Sequence, residues 1–173
     1  PLHERGWRQA TAKAPLRESV AAGLLASAGW DPSSALVDPM CGSGTFCIEA
    51  ALIGRNIPAG YYRKGFAFQR WHHFDNRLWN QIVTEAREKI VHDRFPIIGY
   101  DNISANIDLS RQNSRRILIH NYIRFKKAEL CDFKPEKPGV IIINPPYGER
   151  LGVENELTGL YQLMGDVLKT NCQ

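Results

Sequence analysis

The chain has 173 residues, enough for one domain with a real core, and its 43% apolar and 23% charged residues are ordinary for a globular protein. Its apolar runs fall far short of the roughly 20 residues that cross a bilayer, and its four cysteines form neither a C-x-x-C pair nor, with histidines, a zinc-ligand cluster. No membrane span, metal centre or disulfide framework is expected, while a net charge of +4 permits a polyanionic partner without requiring one.

The chain starts at Pro1 rather than at a methionine, so it is expected to be part of a longer protein. No charged stretch followed by an apolar segment and a cleavage site heads it, which points to a cytoplasmic, reducing setting. The first helix is expected over 15–28, where Val20, Ala21, Leu24, Leu25 and Ala28 recur at helical spacing after an opening proline. Gly29, Trp30, Asp31 and Pro32 stop it. Ala35, Leu36 and Val37 read as a short buried strand ended by Asp38 and Pro39. A glycine loop follows, then a helix through Phe46, Ile48, Ala50, Ala51 and Ile53.

Residues 55–94 read as an insertion before the second strand. Its second part, 76–91, has a helical apolar pattern with Asp75 as N-cap. Its first part interleaves Tyr61, Tyr62, Phe66 and Trp71 with Arg63, Lys64, His72 and His73. That mixture suits stacking on unpaired nucleotides, although an aromatic loop more often packs over its own domain. A strand over 95–100 ends at Asp101, and a polar helix over 104–118 follows. A third strand over 123–130 ends at Cys131 and Asp132. The fourth, over 140–143, runs into Asn144-Pro145-Pro146, and a helix is expected over 156–169. Strands alternating with helices predict an α/β fold, a doubly wound and mainly parallel sheet. Ligands bind such sheets beyond the carboxyl ends of the strands, and every unusual motif here lies at such an end.

The loop Asp38-Pro39-Met40-Cys41-Gly42-Ser43-Gly44-Thr45 joins a strand to a helix whose N-terminus offers free N–H groups. It lacks the lysine and hydroxyl ending of a P-loop and does not fit G-x-G-x-x-G. An acidic strand tip repels a pyrophosphate but attracts a cationic ligand with an amino group, such as S-adenosylmethionine. Asp101 is placed to accept from ribose hydroxyls, and Asp132 from an adenine amino group. Either aspartate could instead be a plain helix cap. In Asn144-Pro145-Pro146-Tyr147 the prolines fix the backbone and donate nothing. The Asn144 side-chain oxygen and the Pro145 carbonyl can accept both hydrogens of a base NH2 group, aiming its lone pair at a methyl donor. Tyr147 can stack on that base.

Taken together, D-P-M-C-G-S-G-T, Asp101, Asp132 and N-P-P-Y-G-E-R-L-G resemble the class I methyltransferases that modify amines. With Arg5-Gly6-Trp7-Arg8 and Lys13-Ala14-Pro15-Leu16-Arg17-Glu18, the chain looks like the catalytic domain of the bacterial THUMP-linked, UPF0020-type guanine-N2 RNA methyltransferases, and is similar to those acting on 23S ribosomal RNA. The resemblance implies a Rossmann-like methyltransferase domain over 1–173, with 1–30 a segment and helix closing over the cofactor and 55–94 an insertion. It implies S-adenosylmethionine as cofactor and ribosomal RNA as partner, with no membrane and no metal. The cofactor site would be lined by Asp38, Pro39, Cys41, Gly42, Ser43, Gly44, Thr45, Asp101, Asn102, Asp132 and Asn144. The catalytic site for the target base would be Asn144, Pro145, Pro146 and Tyr147. Family members carry a THUMP domain and a seven-stranded sheet. An RNA-binding domain is therefore expected in the longer chain, and the sheet is expected to be truncated after its fourth strand, with the Asn144 strand on an exposed edge.

Three other readings compete. A DNA or RNA adenine-N6 methyltransferase would use the same asparagine–proline motif, but no target-recognition insertion is visible. A non-catalytic RNA-binding remnant would not need an intact Asn144 and Tyr147. A dinucleotide oxidoreductase is disfavoured by the glycine spacing.

Overall fold

The computed structural model describes residues 4–8, 16–146 and 154–172. Four strands form one parallel sheet: β1 (Ala35–Asp38), β2 (Ile97–Asp101), β3 (Ile123–Lys127) and β4 (Gly139–Ile141). Their order is β3-β2-β1-β4, so the chain builds outward from β1 and then returns to its other side. Leu36 lies opposite both Ile97 and Val140, and Val37 opposite both Ile98 and Ile141. The strand order reverses between β1 and β4. A crevice beyond their carboxyl ends is where doubly wound sheets hold ligands.

Five helices connect and cover the strands: α1 (Glu18–Ser27), α2 (Thr45–Gly54), α3 (Asn76–Glu88), α4 (Ser104–Arg116) and α5 (Glu154–Asn171). Because strand side chains alternate, Leu36, Ile97, Ile123, Phe125 and Val140 share one face. They pack in one large cluster with Phe46, Cys47 and Ile48 of α2, Ile107 of α4, and Ala21 and Leu25 of α1. Helix α2 lies between the sheet and α1, which is why it is buried from Thr45 through Leu52 and carries apolar residues nearly all round. Leu36 is completely buried; cutting it to alanine would cost about 2–5 kcal/mol through lost burial and the cavity left. The opposite face carries Val37 and Ile141, packed with Phe133 and with Val167 of α5. Helices therefore cover both faces, as the alternation of elements predicts.

Several boundaries differ from the sequence expectation. Helix α1 begins at Glu18 among the described residues, and α3 ends at Glu88, three residues earlier than its apolar pattern suggests. Strand β3 stops at Lys127 rather than continuing to residue 130. Its outward side chains Arg124 and Lys126 are both tied to Glu136, at 2.9 and 2.8 Å. The next residues turn into a short 3₁₀ helix, Leu130–Asp132. Strand β4 is shorter too, although Ile142 still donates its N–H to the Val37 carbonyl at 2.9 Å. Pro145 and Pro146 have no N–H to extend the ladder further. Among the described residues β4 pairs only with β1 and so forms one edge of the sheet. None of the helices there is long and apolar enough to cross a membrane, and no group of three or more His, Cys, Asp or Glu side chains is placed to hold a metal ion.

Candidate active site

The loop after β1 is built largely from backbone hydrogen bonds. Asp38 accepts the Met40 N–H at 3.1 Å, Cys41 donates to the Tyr100 carbonyl at 2.7 Å, and Gly44 donates to the Cys41 carbonyl at 2.8 Å. Gly44 has a φ of 80° and caps the N-terminus of α2. A Cβ there would also sit 2.9 Å from the Ser110 Cβ and 3.0 Å from the Phe125 ring. Gly42, at φ 53°, differs: a Cβ added to it would meet nothing within 4 Å. Left-handed backbone sets the turn at both positions, but only Gly42 leaves its surroundings open to a ligand.

Asp38 is only 2% exposed. Burial pushes its carboxyl up to about 8; the Met40 N–H opposes this and the nearby Asp101 charge adds to it. A desolvated carboxylate with one backbone donor is poorly compensated as an anion, and a cation brought beside it would restore the charged form. At the other end of the loop the first turn of α2 offers backbone N–H groups and the positive end of its dipole. Arg8 reinforces that positive end. Its guanidinium donates to Ser43 Oγ at 3.1 Å, Thr45 Oγ1 at 3.0 Å and the Leu16 carbonyl at 2.9 Å, while its Nε meets Glu18 at 3.0 Å. The loop thus presents a carboxyl at one end and the N–H groups of a helix N-terminus, braced by the Arg8–Glu18 pair, at the other, the arrangement that receives an amino-acid zwitterion. The open space at Gly42 fits the approach of such a ligand.

Asp101, at the tip of β2, holds the loop from the other side. One carboxylate oxygen accepts the Gly42 N–H at 2.9 Å; the other accepts the Ile103 N–H at 2.9 Å and the Asn106 amide at 3.0 Å. An ionised carboxylate has about four acceptor positions, which leaves roughly one for a ribose hydroxyl. Asn113 of α4 donates to the Ser43 carbonyl at 3.2 Å. The buried face of α4 is polar and small, with Ser110, Asn113 and Ser114, where it passes the glycine loop. Glu49 on α2 anchors the N-terminal segment, accepting from Trp7 Nε1 and from Arg5 Nε, both at 3.3 Å. Burial outweighs these partners and pushes its carboxyl up to about 7.

The expected site residues divide clearly. Asp38, Pro39, Cys41, Gly42, Ser43, Gly44 and Thr45 form the loop, and all but Gly42 are buried. Asp101 joins them through its hydrogen bond to Gly42. Burial raises the thiol pKa of Cys41, which keeps it a neutral packing group. Asn102 is exposed and donates to Glu129 at 3.1 Å, outside that network. Asp132 is exposed in the turn after β3 rather than at the strand tip. Asn144, Pro145 and Pro146 are half-buried and follow β4, whose Ile141 lies opposite Val37 of β1. Tyr147 and residues 13–15 lie outside the described residues. Sequence reasoning assigned no role to Arg8, Asn106 or Asn113. For the asparagines the available signal was a polar stripe on a helix flanked by apolar strands.

A family model described as RMKL-like, methyltransferase domain (UPF0020) matches residues 5–173. The chain is 41% identical to a Shewanella baltica protein named ribosomal RNA large subunit methyltransferase K/L, over 97% of this chain and 24% of that one. Its fold matches the crystal structure of a methyltransferase candidate complexed with SAH, with a TM-score of 0.89 and 39% identity over 98% of this chain and 45% of that one. It also matches a Listeria monocytogenes protein described as a predicted N6-adenine-specific DNA methylase, with a TM-score of 0.87 and 38% identity over the same shares. The chain therefore spans from about a quarter to just under half of the length of these relatives. Four parallel strands, a glycine loop braced by Asp101 and a family match over nearly the whole sequence lead to one conclusion: the chain belongs to the RMKL-like methyltransferase domain family.

Proposed function

We propose that the chain is the catalytic domain of an S-adenosylmethionine-dependent methyltransferase whose acceptor is an exocyclic base amine in RNA, specifically N2 of a guanine in 23S ribosomal RNA. The observation that carries this reading is the pairing of strand ends at the switch point. The buried Asp38 and the loop 38–45 end β1, and Asn144-Pro145-Pro146 follows the neighbouring β4. A cationic donor held on the first would face an amine held on the second. The cofactor supplies a methyl group made electrophilic by its sulfonium.

The chain's own residues do the rest. Asp38 and the α2 N-terminus bind the two charges of an amino-acid group, and Asp101 takes a ribose hydroxyl. A base NH2 is a poor nucleophile because its lone pair is delocalised into the ring. The Asn144 side-chain oxygen and the Pro145 carbonyl accept its two hydrogens, favour a pyramidal nitrogen and direct the lone pair outward. Tyr147 stacks on the base. The methylated nitrogen gives up one of its two hydrogens as a proton, through the acceptor that holds it, to solvent, and catalysis is otherwise mainly proximity and alignment. The ribosomal guanine follows from the resemblance and from the relative named for ribosomal RNA, as do an accompanying RNA-binding domain and a cytoplasmic location.

A second reading, adenine N6 in DNA or RNA, is favoured by the name of the Listeria relative. The same two acceptors hold an adenine amine equally well. Incubating the protein with isotopically labelled cofactor and either RNA or DNA, then digesting to nucleosides for mass spectrometry, separates them. Label in N2-methylguanosine supports the first reading, and label only in N6-methyladenine replaces it with the second.

A further inference from the structure

The insertion between α2 and β2 leaves the sheet at Gly54, where α2 ends, and returns at Ile97, where β2 begins. Both points lie at the amino-terminal edge of the strands, opposite the crevice. Helix α3 in this insertion has no buried residue. Its apolar stripe is instead met by a cluster of rings. Phe66 and Phe68 stack with centroids 5.3 Å apart, and Trp79 meets both edge-on at 5.5 and 5.1 Å. The cluster remains open to solvent: Trp71 is 72% exposed, and Tyr61, Leu78 and Ile82 are exposed as well.

Two grooves of about 340 and 350 Å³ run along it. The first is lined by Tyr61, Lys64, Phe66, Trp79 and Arg87, with the Arg87 guanidinium 5.7 Å from the centre of the Tyr61 ring. Residues 58–87 contain five Lys or Arg against two acids, a net +3. Both acids are engaged: Asp75 caps α3 through the Arg77 and Leu78 N–H groups, and Glu85 accepts from Gln81 at 2.8 Å.

We infer that this face is a docking surface for an unpaired stretch of RNA, with bases stacked on Trp71 and in the Tyr61–Trp79 groove and phosphates on Lys64, Arg70, Arg77 and Arg87. Open rings that present a π face, interleaved with cations, are what single strands bind without sequence reading. The excess of cations over acids on this face, with the rings between them, favours a polyanion over an apolar protein segment. The inference rests on the proposed action on RNA. It adds a second contact away from the reaction, which anchors the substrate rather than aligning the amine.

The test uses the full chain, a fluorescent single-stranded RNA and titrations between about 50 and 200 mM salt. Trp71→Ala should weaken binding by about 5- to 150-fold, the equivalent of one lost base stack. Lys64→Glu with Arg87→Glu should weaken it more than tenfold and flatten the dependence on log salt. Circular dichroism and SAH affinity should match the parent, because none of these residues touches the glycine loop. Wild-type RNA affinity and salt slope in all these folded variants would overturn the inference while leaving RNA as the substrate. A parent that binds duplex DNA but no RNA would overturn both this and the proposed substrate. Loss of a protein contact with RNA binding intact would assign the face to a protein partner instead.

Discussion

The Asp101 carboxylate accepts the Gly42 N–H at 2.9 Å, so the tip of β2 holds the middle of a loop that lies 59 residues earlier in the chain. The same carboxylate receives Ile103 and Asn106. Asp101 is therefore a loop brace as well as a proposed ribose ligand. Asp101→Ala should lower SAH affinity by the equivalent of about 1.5–3 kcal/mol, the usual worth of a hydrogen bond to a charged group. It should also lower the thermal midpoint, since three donors lose their acceptor. Calorimetric SAH titration and a melting curve on the same protein check both; unchanged affinity in a folded variant contradicts the assignment.

Asp38 makes stability depend on pH in an unusual direction. Its carboxyl is pushed up to about 8, against about 3.8 for an ordinary aspartate, so the folded chain keeps a proton that the unfolded chain releases. The state that binds more protons is favoured at low pH. Stability should therefore fall as pH rises from about 4 to about 8, with Glu49, pushed up to about 7, contributing in the same sense. Asp38→Asn should flatten the fall in melting temperature between pH 5 and 8. Cofactor binding at pH 7 should release a proton in the parent, read as a dependence of calorimetric heat on buffer ionisation, and not in the variant. An equal slope in both proteins would exclude Asp38 as the source.

Arg8 joins Ser43 and Thr45 of the loop to Glu18 of α1 and the Leu16 carbonyl. A lysine can keep the contact with Glu18 but cannot span both hydroxyls, because it lacks the planar fork. Arg8→Lys should retain most of the thermal stability and weaken SAH binding by the equivalent of about 1–3 kcal/mol, two lost hydrogen bonds. Arg8→Ala should be far less stable, as Glu18 is then left buried without its partner. Parental SAH affinity in Arg8→Lys would show that the clamp does not shape the loop.

The legible parts of this fold were those where a local pattern and the tertiary environment agree. Ala35 to Val37 and Val140 to Ile142 are apolar because both faces of the sheet are covered; Pro39 follows directly on the end of β1, and Pro145 and Pro146 lie shortly after β4. Asp75 was readable as the α3 cap, and its side chain does accept from Arg77 and Leu78. The β3 end is shorter than Ile123 to Leu130 suggests because Lys127 is its last paired residue, opposite Asp101, while Ala128 and Glu129, poor strand formers, make the exit toward a 3₁₀ turn. Arg8 was illegible as a clamp, since nothing local links it to Ser43 35 positions later. The polar buried face of α4 read simply as a hydrophilic helix. Its Ser110, Asn113 and Ser114 make sense only once the glycine loop lies against them.

Asn144 carries the central claim, that an amine is activated by acceptors beside the end of β1. The direct measurement is single-turnover methyl transfer to RNA by Asn144→Ala, with SAH affinity determined on the same preparation. Although the resemblance also lines the cofactor site with Asn144, the proposed partner of its side-chain oxygen is the target amine, so cofactor affinity should change far less than the transfer rate. The transfer rate should fall by about 10² or more, comparable to losing one preorganised hydrogen-bonding group in an active site. A folded Asn144→Ala protein that transfers methyl groups at the parental rate would contradict the account.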